Sequence, residues 1–148
     1  MKILVVFYSR TGNTRRVGEE IAKNLNADID EIIDKKKRSG IIGWLRCGKD
    51  ALFKKLTEIE NKKRPEEYDL AIIGTPVWVG TISPAIRTYL SRNKFNKTAF
   101  FCTCGTGKSK TFNEMEKLST KPQAVLEIKD REIEKSKEKI KSFCQTFG

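Results

Sequence analysis

The chain has 148 residues and no histidine. That absence removes the usual general base near neutral pH and the commonest ligand of transition metals. The four cysteines, Cys47, Cys102, Cys104 and Cys144, form no C-x-x-C pair and show no zinc-site spacing. Free, largely buried thiols are therefore expected rather than a metal centre or a disulfide frame. No apolar run reaches the ~18 residues that would suggest a bilayer span. The short apolar run near the N-terminus stops at a polar loop with no small-residue cleavage site. It reads as a strand rather than a leader, and a cytoplasmic protein is expected. Acidic residues are outnumbered, 19 against 30 Lys and Arg, for a formal charge of +11. Such a balance attracts acidic protein faces and polyanions. No nucleic-acid motif accompanies it, so a solvated Lys-rich surface is the preferred reading and no specific nucleic acid is expected. The length suits one domain, residues 1–148, with a core of ordinary size.

What the chain does have begins at once. Ile3 to Tyr8 is a continuous apolar run, the pattern of a strand buried on both faces. It ends in Ser9-Arg10-Thr11-Gly12-Asn13-Thr14, and Val17, Ile21 and Leu25 follow at helical spacing. A buried strand, a hydroxyl-rich loop and a helix make a cradle for an anion, because helix N-terminal N–H groups lack partners and carry partial positive charge. Ser9, Thr11, Asn13 and Thr14 add side-chain donors, and Gly12 permits a turn that a Cβ would hinder. The same loop also reads as a plain helix start, with Thr11 or Asn13 capping and Ser9 filling the turn.

The rest alternates. Residues 27–33 read as an edge strand with acidic side chains that protect the edge. Residues 34–61 hold a basic knot, Lys35 to Arg38, then an apolar stretch with Trp44, in which Leu45, Leu52, Leu56 and Ile59 recur at helical spacing. Ile41 and Trp44 read either as core staples or as one wall of a ligand site. Residues 68–74 and 98–103 read as buried strands, opening into Thr75-Pro76-Val77-Trp78-Val79-Gly80 and Cys104-Gly105-Thr106-Gly107. Ser83-Pro84 signals a helix start. A last strand over 123–128 precedes a terminal helix capped by Asp130. The alternation predicts an α/β fold, a doubly wound, five-stranded parallel sheet of order 2-1-3-4-5 between helix layers. In that order three loops, after Tyr8, Gly74 and Thr103, meet at the carboxyl ends of adjacent central strands, where such sheets bind ligands.

Y-S-R-T-G-N-T, G-T-P-V-W-V-G and T-C-G-T-G, in this order and each on a strand end, resemble the FMN-binding loops of the flavodoxins. The resemblance runs over essentially the whole chain and implies a flavodoxin-like three-layer sandwich with FMN as cofactor. By that resemblance Ser9, Arg10, Thr11, Gly12, Asn13 and Thr14 hold the FMN phosphate. Thr75, Pro76, Val77, Trp78, Val79 and Gly80 wrap the ring, and Cys104, Gly105, Thr106 and Gly107 complete the ring site. It also implies an FMN redox protein working with a partner protein, here one with an acidic face. The alternative on the same fold is an NAD(P)H-dependent FMN or quinone reductase. Two departures stand out. Electron-carrier flavodoxins are typically acidic, whereas this chain is basic, and Ser39–Leu56 is longer and more apolar than in small flavodoxins. A competing reading as a nucleotide-binding P-loop, suggested by Gly105 to Ser109, fails because its first glycine would fall at Cys102.

Overall fold

The chain winds one parallel sheet outward from its N-terminal strand. The computed structural model describes residues 1–36, 40–52, 54–105 and 110–148, and the side chains of Ile41 and Leu52 lie outside the description. In chain order the elements are β1 (Ile3–Phe7), α1 (Asn13–Leu25), β2 (Asp28–Glu31), β3 (Ile33–Asp34), α2 (Gly40–Leu52) and β4 (Ile59–Glu60). A short 3-10 turn, Pro65–Glu67, leads to β5 (Leu70–Trp78), β6 (Thr81–Ile82), α3 (Pro84–Arg92) and β7 (Lys97–Cys104). The chain ends with α4 (Thr111–Leu118), β8 (Pro122–Lys129), a 3-10 segment Asp130–Lys135 and α5 (Lys137–Gln145).

The main strands run parallel in the order β2-β1-β5-β7-β8. This is the expected 2-1-3-4-5 order. Because successive strand side chains point to opposite faces, β1 feeds two cores. Val5 and Phe7 pack with Val17, Ile21, Phe101 and Phe143 on one face. Leu4 and Val6 pack with Ile73, Ile86, Tyr89 and Phe100 on the other. Gly18 lets α1 sit close on the sheet, since a Cβ there would fall 2.5 Å from a ring carbon of Phe7. The start of α3 is as expected, with the Ser83 hydroxyl accepting from the Ile86 N–H at 3.4 Å.

Four expectations differ. The edge strand ends at Glu31, and Ile33–Asp34 instead pairs antiparallel with Ile59–Glu60. That ribbon closes the base of an excursion carrying α2. Within it, the helical spacing of Leu45, Leu52, Leu56 and Ile59 does not mark one buried face. α2 ends at Leu52, Ile59 is in β4, and Leu45 and Leu56 are exposed. The buried positions are Gly43, Cys47, Asp50 and Ala51, a set that begins at i, i+4 with small residues and so carries little apolar signal. Residues 75–78 are not loop. β5 runs on to Trp78 and folds back as β6, with Val77 opposite Ile82 and Trp78 opposite Thr81. Finally, Asp130 does not cap α5. It opens a 3-10 segment, and Ser136 precedes the helix.

All four cysteines are buried, and Cys102, Cys104 and Cys144 are free thiols. Among the described residues, no cluster could hold a metal ion and no helix is long and apolar enough to cross a membrane.

Candidate functional site

The β1–α1 turn is shaped by its backbone. Gly12 has φ +102°, in the region that L side chains rarely enter, and its N–H donates to the Ser9 hydroxyl at 3.0 Å. The first helical bond runs from the Arg16 N–H to the Gly12 carbonyl at 3.0 Å. The N–H groups of Asn13, Thr14 and Arg15 lie ahead of that bond, and no side chain among the described residues caps them. The first turn of α1 contains no acidic residue, and Glu31 nearby is taken up by Arg15 in a two-point pair at 2.8 and 2.6 Å. An uncapped helix end in this setting favours an anion. Of the plain reading of this loop, the Ser9 turn is present, and the side-chain cap by Thr11 or Asn13 is absent.

Beside this helix end lies a cavity of about 640 Å³, within the range of cofactor pockets. One end is lined by Arg10, Thr11, Asn13 and Thr14. The other is lined by Pro76, Val77, Trp78 and Val79 from the β5–β6 hairpin, and by Trp44, Leu45, Cys47 and Gly48 from α2. Thr103 and Asp130, at the ends of β7 and β8, line it as well. The Thr14 and Thr103 hydroxyls bond at 2.8 Å, which ties the helix start to the end of β7.

The hairpin is the most constrained part. Val79 and Gly80 both have positive φ, +52° and +72°, the requirement of a tight two-residue hairpin turn. For a β-branched residue that conformation is strained, and such strain gathers at functional sites. Trp78 meets the ring of Tyr8 edge-on, centroids 5.7 Å apart, so the first strand steadies the indole. Below the turn, the Thr75 hydroxyl donates to the Pro76 carbonyl at 2.8 Å and accepts from the Ser83 N–H at 3.1 Å. On the outer side, Arg87 donates to Glu114 at 2.7 Å and to the Thr81 hydroxyl at 3.2 Å, and Thr81 donates to the other oxygen of Glu114. This nearly buried triad clamps β6 to α3 and α4. Burial pushes the Glu114 carboxyl up, but the bonds from Arg87 and Thr81 and the Arg87 charge outweigh it and hold the carboxyl below the usual range.

The sixteen residues expected to form the site therefore fall into groups. Arg10, Thr11, Asn13, Thr14, Pro76, Val77, Trp78 and Val79 line one cavity. Ser9, Gly12, Thr75 and Gly80 do not line it, and they shape the turns that carry its lining through the bonds and dihedrals given above. Cys104 is the last residue of β7, and its thiol donates to Glu127 at 3.4 Å and faces β8. Burial, then the Glu127 bond, pushes that thiol up to about 11. Gly105 is exposed, and neither it nor Cys104 lines the cavity. Thr106 and Gly107 lie outside the described residues. Trp44 proves to be a wall residue, 64% exposed, and Ile41, its companion in that reading, lies outside the described side chains.

Five lining residues, Leu45, Cys47, Gly48, Thr103 and Asp130, were not expected in the site from the sequence. Thr103 and Asp130 could have been, because both stand at carboxyl ends of parallel strands. Cys47 and Gly48 carry no local signal, since they arrive only through the packing of α2 on the hairpin. In chemical terms the site offers an anion cradle at one end and flat apolar walls at the other. That donor set fits a phosphate monoester attached to a planar ring.

A family model described as flavodoxin matches residues 2–147. No curated protein matches the chain. Among solved structures, a Bacteroides uniformis protein provisionally described as a flavoprotein superposes with TM-score 0.82 at 21% identity, covering 97% of both chains. A Lactobacillus acidophilus flavoprotein in complex with FMN gives TM-score 0.71 at 22% identity, covering 90% of this chain and 97% of its own. Megasphaera elsdenii flavodoxin gives TM-score 0.60 at 12% identity over 99% of both. At these identities the structural matches establish the fold.

Proposed function

The chain belongs to the flavodoxin family, and from that premise we propose that it is an FMN-binding redox protein that passes electrons through a non-covalently held flavin. The observation that carries this reading is that one cavity of about 640 Å³ is lined both by the uncapped start of α1 and by Trp78. Bound FMN supplies the redox chemistry, accepting one or two electrons. The residues of the chain supply binding, orientation and shielding. The α1 N–H groups, with Arg10, Thr11, Asn13 and Thr14, hold the phosphate. Trp78, braced by Tyr8, offers a flat face to the ring. The Thr81–Arg87–Glu114 clamp keeps the hairpin in place, and α2 covers the side away from the sheet and excludes water. The formal charge of +11 suits an electron donor or acceptor with an acidic face, and a cytoplasmic location belongs to the same reading.

A second reading, an NAD(P)H-dependent FMN or quinone reductase, is favoured by one observation. Trp44 adds an aromatic wall that is still 64% exposed, a face on which a second planar substrate can lie. Both readings meet in one experiment. The purified chain is loaded with FMN and reduced stepwise without oxygen, then assayed with NADPH and a quinone but no partner protein. Two separable one-electron steps and no turnover are expected for the carrier. A single two-electron step with turnover establishes the reductase, and failure to retain flavin refutes both.

A further inference from the structure

A surface helix usually hides its apolar stripe and shows water a polar one. α2 is apolar on the side that water meets. Its inward positions are Gly43, Cys47, Asp50 and Ala51. Its outward side chains Ile42, Trp44 and Leu45 are 75, 64 and 59% exposed, with exposed Lys49 beside them. The exposed Val79 extends the patch, because its side chain packs against α2 at Gly48, 3.3 Å from the place a Cβ would take.

The composition narrows what can cover this face. From Gly40 to Leu56 there is no Ser, Thr, Asn, Gln or Glu. The one acidic residue, Asp50, is buried and paired with Lys36 at 2.6 Å. A protein partner needs about one hydrogen bond per 100–200 Å² of interface, and this face offers hydrocarbon, an indole and cations. A second copy of the chain would set like charges together, at +11 each. A lipid surface with anionic headgroups calls for the set that is present: apolar side chains for the acyl boundary, Trp for the interfacial zone, and Lys for the headgroups. With 13 residues, α2 is too short to span a bilayer and long enough to lie along one.

We propose that α2 docks the protein onto an anionic membrane surface. Ile42, Trp44 and Leu45 enter the headgroup–acyl boundary, and Lys49, Lys54 and Lys55, all exposed, meet the headgroups. Trp44 and Leu45 also line the cavity, so docking brings its mouth to the lipid surface. The proposal touches the flavin reading only through Trp44 and Leu45, which both surfaces share; Ile42, Lys49, Lys54 and Lys55 lie outside the cavity lining.

The test mixes the full chain with vesicles of phosphatidylglycerol and phosphatidylcholine in equal parts, and with phosphatidylcholine alone. Sedimentation and tryptophan emission are recorded over a range of salt. Co-sedimentation with the anionic vesicles only, a blue-shifted emission and release by salt are expected. Ile42→Ser weakens vesicle binding about tenfold, while its FMN titration matches the parent because Ile42 does not line the cavity. No sedimentation with anionic vesicles at low salt overturns the proposal. So does equal binding by Ile42→Ser, which would leave charge alone as the cause. Polyglutamate that displaces the chain from vesicles, with no emission shift on vesicle addition, would identify an acidic polypeptide as the ligand instead and equally overturn it.

Discussion

The two ends of the cavity are built in different ways. The β1–α1 end is made of backbone. Six consecutive residues leave a buried strand, Gly12 turns at φ +102°, and the helix presents its N–H groups with no cap among the described residues. The hairpin and α2 end is made of side chains brought from distant parts of the chain. Trp78 leans on Tyr8, Val79 on Gly48, and Thr81 on Arg87 and Glu114. The first end depends on one local conformation. The second depends on tertiary contacts, one of them a charged pair nearly out of water. An anion site can be local because a helix end is intrinsically polarised, whereas a flat ring needs opposed walls that no short segment provides.

The largest way to break this contrast is at the clamp. Removing one member of a buried pair leaves the other charge unpaired, so Glu114→Ala lowers stability by about 3 kcal/mol, read by thermal unfolding. The effect falls on the hairpin end, and flavin binding weakens with it. The same pair gives a pH dependence. The Glu114 carboxyl lies below its usual value in the folded chain. Its contribution is therefore complete above the ordinary carboxylate pKa and is lost as pH falls through the lower folded value. Unfolding curves from pH 7 downward should show an acid-side loss that Glu114→Gln does not show.

Next comes the ring wall itself. Trp78→Ala weakens FMN and riboflavin alike, by about 2 kcal/mol, in fluorescence titrations. Weakening of FMN alone would mean that the indole serves the phosphate end. A smaller effect separates the ends in the other direction. Gly12→Ala places a Cβ at positive φ at a cost of about 1–2 kcal/mol. FMN binding falls accordingly, and riboflavin, which has no phosphate, binds as before. The smallest effect sharpens the account of strain. Val79→Asn creates the Asn-Gly pair favoured in such turns and raises stability by about 1 kcal/mol, seen as a higher midpoint in urea.

The difference between the two ends also explains what could be read from the sequence. The apolar run Ile3–Tyr8, the glycine at the turn and the periodic Val17 and Ile21 are local signals, and the structure has them as read. The strand order follows from the alternation of strands and helices and holds. Trp78 was legible as an aromatic at a strand end. The strand continuing through Pro76 and Val77 was not, because a proline reads as a strand breaker although Pro76 still pairs with Thr103 of β7, and the partner of Val77 and Trp78, Thr81–Ile82, is only two residues long. α2 was the hardest region to read. Both of its faces lack an ordinary pattern, one because its buried positions include Gly, Cys and Asp, the other because its exposed positions include Ile, Trp and Leu. Cys104 shows the converse, a residue in a recognisable loop motif whose thiol turns toward Glu127 because strand alternation carries it there.

The central claim is that one cavity holds a phosphate at the α1 end and a flavin ring at the Trp78 end. The most direct test titrates the chain against FMN and riboflavin in parallel, following flavin fluorescence. Both are expected to be quenched, with FMN bound tighter by about a hundredfold, the weight of a phosphate on charge-assisted donors at a helix N-terminus. Equal affinities would contradict the phosphate end, and no binding of either would contradict the site as a whole.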